Sequence, residues 1–190
     1  MIRVLSKLQK RKPESLHDEQ KRLEITLYHQ RAYDAFVGRK EQYDAYILDS
    51  DYFGLTVKVK DQFKEDDVAV RITWDEHLGQ KEMIWSSLKQ NHITSLEKYE
   101  HLDDPGIHLF YTQVPEGTMS EIIAKSIFRN NPDAVKNLCE WFREAASGIK
   151  HLHSVGLYHL DISGDNIVIL DNSAKIQNFH FVANEESSNR

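Results

Sequence analysis

The 190-residue chain has one cysteine, four prolines and eight glycines. A lone Cys139 excludes an internal disulfide framework and any Cys-x-x-Cys metal site, and it fits a reducing compartment. No apolar run approaches the ~20 residues of a membrane-spanning helix. The opening Met1-Ile2-Arg3-Val4-Leu5 is cut short by Lys7 and by Lys10, Arg11 and Lys12, before it reaches the apolar core of a signal peptide. A cytoplasmic location is therefore expected, with the nucleus as the alternative. What is present, 40% hydrophobic and 28% charged residues, is the profile of a soluble globular chain rather than a disordered, collagenous or membrane one. Even about 150 residues bury roughly 68–70% of their unfolded surface, so no metal or disulfide staple is required.

Charge is unevenly spread. Residues 1–40 carry 10 Lys/Arg against 5 Asp/Glu (+5), and residues 41–190 carry 14 against 25 (−11), which together make the net −6. A basic arm suits an acidic surface or its own acidic body. Aromatic residues do not interleave with its charges, so nucleic acid is not the expected partner.

Along the chain, Ser15 and Asp18 signal a helix start, and Leu16, Leu23, Leu27 and Phe36 recur near helical spacing up to Gly38, which predicts a helix over about 15–37. β-branched and aromatic runs at Tyr46 to Leu48, Leu55 to Val59 and Val68 to Thr73 predict a three-strand meander with a polar turn at Asp61 to Asp67. A helical stretch at about 77–89, strands near Leu96 to Tyr99 and Ile107 to Tyr111, and a short helix near Ser120 to Phe128 follow. Asn131 as N-cap, Pro132, and a stripe of Val135, Leu138, Phe142, Ile149 and Leu152 up to Gly156 mark a long helix. Leu157 to His159, a polar loop, Ile167 to Leu170, a turn at Asp171 to Ser173 and a strand from Ala174 complete the pattern.

The segment from Gly148 to Asn166 resembles the helix and catalytic loop of eukaryotic protein kinases: His159, Asp161 and Asn166 keep the spacing of H-R-D-L-x-x-x-N. Twelve residues after Asn166 stands Asn178-Phe179-His180, where that family has D-F-G. Upstream, Val68-Ala69-Val70-Arg71 is similar to the strand-3 V-A-I-K motif, Glu82 falls where the lysine's ion-pair partner belongs, and Leu48 to Lys58 sits at the glycine-rich loop. Glu116-Gly117-Thr118 lies just beyond the hinge position. The likeness covers about 43–183, and Leu109 to Ile123 resembles the stress kinases that phosphorylate the alpha subunit of a translation initiation factor. It implies an α+β, protein-kinase-like fold with a small antiparallel-sheet lobe (41–114) and a truncated, mainly helical large lobe (115–183), to which the charge and composition add a basic N-terminal arm with helix (1–40) and a polar tail (184–190).

It also implies ATP and Mg2+ as cofactors, and the residues at each station can be compared with what phosphoryl transfer needs. In the phosphate cradle, Asp49-Ser50-Asp51-Tyr52-Phe53-Gly54 keeps only the last glycine and sets two carboxylates where phosphates approach. Arg71, at the lysine position, keeps the charge and can pair with Glu82, but its planar fork differs from a compact ammonium. Asp161 stands at the catalytic base position; an aspartate here also organises the loop. Asn166 and Asn178 stand at the metal positions, and Asn178 lacks the anionic oxygen a hard cation prefers. His180 replaces a glycine, Leu160 the arginine that receives an activation-loop phosphate, and Ser163 the catalytic-loop lysine. Thr56, Ala69 and Val168, with Gly54, occupy nucleotide-binding positions; Thr56, Ala69 and Val168 would sandwich adenine or simply pack the lobes. His159 and Phe179 read as core packing and Cys139 as a small buried hydrophobe. His151 and His153, two apart on a helix, cannot share a metal.

Only nine residues follow Phe181, so the activation segment, A-P-E motif and helical bulk of the large lobe are missing from the sequence. The expected function is that of a pseudokinase, with weak or absent ATP binding, acting through a protein partner such as a kinase or through self-association. The alternatives are a serine/threonine kinase or the front part of one, and a degraded fragment. In a complete kinase the stripe on the long helix is covered, so the N-terminal helix, a second copy or a partner is expected to cover it here.

Overall fold

Period-two alternation at Leu55, Val57 and Val59, and again at Val68, Val70 and Ile72, places these side chains on one face of paired strands. The computed structural model describes residues 16–39, 43–50, 54–61, 67–74, 81, 83–103, 106–125 and 132–184. The chain divides into two units, Met1–Gly79 with Glu97–Thr112, and Gln80–Leu96 with Gln113–Arg190.

The first unit holds α1 (Leu16–Arg39) and strands β1 (Tyr43–Ser50), β2 (Gly54–Asp61), β3 (Asp67–Thr73), β4 (Lys98–Leu102) and β5 (Ile107–Gln113), in the sheet order β1-β2-β3-β5-β4. β1/β2, β2/β3 and β4/β5 pair antiparallel, and β1 shifts register between Ile47 and Asp49. On one sheet face Leu55, Val57, Val59, Val70, Ile72, Ile107 and Leu109 form a core with Ala32 and Phe36 of α1. Each fully buried large side chain contributes on the order of 1.5–3 kcal/mol. Tyr33 ties the helix to β1 through its hydroxyl, which donates to the Ala45 carbonyl at 3.0 Å. The helix turns its His29, Ala32 and Phe36 inward, while Leu27 is exposed. The side chains of Leu16 and Leu23 lie outside those described.

The second unit contains a 3-10 turn (Met83–Ser87), β6 (Gly117–Thr118), α2 (Met119–Ala124), α3 (Pro132–Ser154), β7 (Leu157–Tyr158), β8 (Ile167–Leu170), β9 (Ser173–Ile176) and β10 (Ala183–Asn184). β6-β8-β9 and β10-β7 form two small antiparallel sheets. A capping box starts α2: Thr118 Oγ1 accepts from the Glu121 amide, and Glu121 Oε2 accepts from the Thr118 amide. Asp171 and Asn172, at φ 50° and 59°, make the two-residue turn of the β8–β9 hairpin. Three side chains clamp that hairpin. Trp141 Nε1 donates to the Asn172 carbonyl at 3.0 Å, Glu116 accepts from the Asn172 amide at 3.0 Å, and Glu144 accepts from the Ala174 amide at 2.8 Å.

The inward face of α3 differs from the expected stripe. Ala134, Trp141, Ala145, Gly148 and Leu152 are buried, whereas Val135 and Phe142 are exposed and Leu138 and Ile149 half-buried. The reason is close approach. A β-carbon at Gly148 would stand 2.7 Å from the His92 carbonyl oxygen and 2.9 Å from Ile176 Cδ1, so the small residues Ala134, Ala145 and Gly148 mark the packed side together with Trp141 and Leu152. Phe36 belongs to the sheet core of the first unit. Cys139 is exposed, not buried. Of the helix expected at 77–89, Lys81 is helical and Met83–Ser87 form the 3-10 turn; residues 77–80, Glu82, the turn residues 62–66, the Asn131 cap and the tail 185–190 lie outside the described residues. No helix among the described residues is long and apolar enough to cross a membrane.

Candidate functional site: the loop cluster around Asp161

Between β7 and β8 the chain carries its polar motif residues on a loop whose backbone is fixed by side chains. His159 is buried beneath it, its ring edge-to-face with Phe179 at 5.2 Å, and Phe179 in turn packs on Trp85 at 5.5 Å. The histidine's two nitrogens have distinct duties. Nδ1 accepts from the Asp161 amide at 3.3 Å, so the proton sits on Nε2, which donates to the Gln177 carbonyl at 2.9 Å. Burial pushes the imidazole below its ordinary pKa; the Gln177 carbonyl and the Asp161 carboxylate pull it back only in part. A neutral His159 thus joins the start of the loop to the segment before Asn178.

Asp161 is half-buried, and its Oδ2 accepts from Asn166 Nδ2 at 2.8 Å; the same amide nitrogen donates to the Asp161 carbonyl at 2.8 Å. Asn178 Nδ2 donates to Asn166 Oδ1 at 2.7 Å. The Asn166 backbone is held as well: its amide donates to the Ser163 carbonyl at 3.1 Å, and its carbonyl accepts from the Gln177 amide at 3.0 Å. Leu160 and Asn178 adopt left-handed backbone, φ 62° and 64°. Asparagine tolerates this region, but leucine is strained there.

Sequence reasoning missed one neighbour of this cluster. His180 is buried, and its Nε2 lies 3.7 Å from Asp161 Oδ2, within ion-pair distance of a carboxylate whose side chain is 40% exposed. The only signal was an imidazole at a position expected to be glycine. The base-position aspartate therefore has an amide and an imidazole about it. Its part in loop organisation runs through the side chain of Asn166.

Val168 is buried in β8 of the same unit. Gly54, Thr56, Ala69 and Arg71 belong to the first unit. Thr56 pairs directly with Arg71, and Ala69 shares the Arg71 face, opposite the apolar core. Arg71 is buried and its guanidinium lies against Gly54, where a β-carbon would come within 3.1 Å of Arg71 Cζ and would run into the Ile72 carbonyl oxygen. Glycine is required there by close approach rather than by backbone angle. Asp49 lies in β1, while Asp51 and Glu82 lie outside the described residues.

An antiparallel five-stranded unit, followed by a long helix, a His-x-Asp loop and a hairpin leading to Asn-Phe-His, is the architecture of a protein kinase domain. Residues 50–189 match the family of protein tyrosine and serine/threonine kinases, and the chain belongs to that family. It is similar to the serine/threonine-protein kinase pakA of Talaromyces marneffei, 32% identical over 98 residues, which are 51% of this chain and 14% of that protein. It is also similar to the serine/threonine-protein kinase CST20 of Candida albicans, 38% identical over 77 residues, 39% of this chain and 6% of that one. The serine/threonine-protein kinase STE20 of Yarrowia lipolytica matches at 25% over 130 residues, 64% of this chain and 11% of the relative. The matches thus span a small part of each relative's length.

Kinase domains use ATP and Mg2+ in general, and the residues at the metal positions can be tested for fit. They do not fit. A hard divalent cation takes oxygen ligands, preferably carboxylate and phosphate, but Asn166 Oδ1 is occupied by a donor from Asn178 and Asp161 Oδ2 by a donor from Asn166. Among the described residues no group of three His, Cys, Asp or Glu is arranged to hold a metal.

Proposed function

We propose that this kinase-family chain works by binding, as a pseudokinase that docks on a protein partner such as a true kinase or competes for that kinase's partner. The observation that carries this reading is the hydrogen-bond chain from Asn178 through Asn166 to Asp161, which engages the base position and both metal positions in one internal network. Two further departures support it. Asp49 and Asp51 stand in the phosphate-cradle sequence, where carboxylates repel phosphate oxygens. Arg71 at the lysine position lays its fork against Gly54. Each departure touches a different requirement of phosphoryl transfer, so repair of one leaves the others.

A second reading, a serine/threonine kinase or the front part of one, is favoured by the retained Asp161 and by relatives named as serine/threonine kinases. Nucleotide binding separates the two. In a thermal-shift titration the pseudokinase reading expects Mg·ATP to raise the unfolding midpoint no more than adenosine does. Stabilisation by Mg·ATP well beyond adenosine, growing with concentration as a specific ligand's must, contradicts it.

A further inference from the structure

Asn166 and Asn178, the two residues at the family's metal positions, face each other at 2.7 Å. The polarity of that contact is set by chemistry. The Asp161 backbone carbonyl can only accept, and it lies with Oδ2 on the same nitrogen of Asn166, so Asn166 must turn its NH2 toward Asp161, which leaves Asn166 Oδ1 on the far side as an acceptor. Asn178 can meet that acceptor only with its own NH2. We propose that the Asn178 amide takes the place of a metal ion here, closing the loop cluster with a donor and making its conformation independent of divalent cations.

Aspartate at 178 could not do this. It would set an oxygen against the Asn166 oxygen, and the contact would need a cation or a proton between them. Reversing the Asn166 amide would only move the clash to Asp161. Conversely, a cation entering this structure would have to displace the NH2 of Asn178, whose partial positive charge repels it. Asn166 is buried, at 7% exposure, so an unsatisfied amide there is costly and the network closes as a unit. The left-handed backbone of Asn178, φ 64°, suits asparagine and presents its short side chain to Asn166. The substitution that removes a metal ligand thereby supplies a hydrogen bond. This inference goes beyond the binding reading, since it concerns what holds the loop and stands whether or not a partner is found.

Two measurements on the whole chain test it. In a 15N-labelled sample, the side-chain NH2 resonances of Asn166 and Asn178 are followed as Mn2+ is added as a paramagnetic probe. They should broaden no more than those of other asparagines. Selective broadening of these two, reversed by excess Mg2+, overturns the proposal. Asn178→Asp provides the second test, by thermal melts in EDTA and in MgCl2 at matched ionic strength. The wild type should melt at the same temperature in both. The variant should melt lower in EDTA by about 2–4 °C for each kcal/mol lost, and should recover with Mg2+. A variant as stable as the wild type in EDTA overturns the proposal, and should it fail to fold, the Mn2+ result alone decides. Phosphate transfer dependent on Asp161 would defeat the binding reading; Mn2+ at the two amides would defeat this one.

Discussion

In the first unit Val57, Val70, Ile72 and Leu109 are wholly buried on one sheet face, and each contributes by the area it removes from water. In the second unit the loop around Asp161 is held by named pairs: His159 with Gln177, Asn166 with Asp161, Asn178 with Asn166. The first kind of order is tolerant, since another apolar side chain of similar volume can fill the same space. The second is exacting, since each group must present a donor or an acceptor in one direction. A change in the sheet core should therefore cost stability in proportion to volume, and a change in the loop should cost stability according to which donor or acceptor it leaves without its partner.

The largest effect is expected where α1 meets the sheet. Phe36 is 1% exposed in the core of the first unit, and Phe36→Ala should lower stability in denaturant titrations by about 3–5 kcal/mol. Leu27→Ala on the same helix, at 59% exposure, should change it by no more than about 0.5 kcal/mol. Equal losses at both positions would erase the contrast between core and surface.

A smaller and pH-dependent effect belongs to His159. Its folded-state pKa is lowered, chiefly by burial, so below the ordinary histidine value the unfolded chain binds a proton that the folded chain resists. Stability therefore falls as pH drops from about 6.5 toward the folded-state value, and above that window the residue adds no slope. Melts across this range should show a shallower fall for His159→Gln than for the wild type. Identical slopes would place the pH dependence elsewhere.

The smallest effect is a gain. Leu160 is 69% exposed and holds φ 62°, which costs a leucine roughly 1–2 kcal/mol. Leu160→Asn should raise stability by about 1 kcal/mol or less, without loss of packing. A destabilised variant would mean that the leucine side chain makes a contact worth more than the strain.

The two regions also differed in how well the sequence announced them. Strand alternation at 55–59 and 68–72 and the spacing of His159, Asp161 and Asn166 pointed directly to the sheet and to the loop. The faces of α1 and α3 showed only in part: Phe36 and Leu152 were weighed and are buried, but Ala32, Ala145 and Gly148 were not, because small residues carry little apolar signal, and at Gly148 it is the close approach of the His92 backbone that marks the contact. Asn178 was legible as a lost carboxylate, but the use of its amide depends on the direction in which Asn166 points, which only the fold supplies. The approach of His180 to Asp161 was invisible for the same reason.

The central claim, that the kinase-family loop is retained without phosphotransfer, is tested most directly by incubating the purified chain with Mg2+, γ-labelled ATP and a generic protein substrate, beside Asp161→Asn. The account predicts no incorporation above background in either protein, on the chain itself or on the substrate. Incorporation by the wild type that Asp161→Asn abolishes would contradict it.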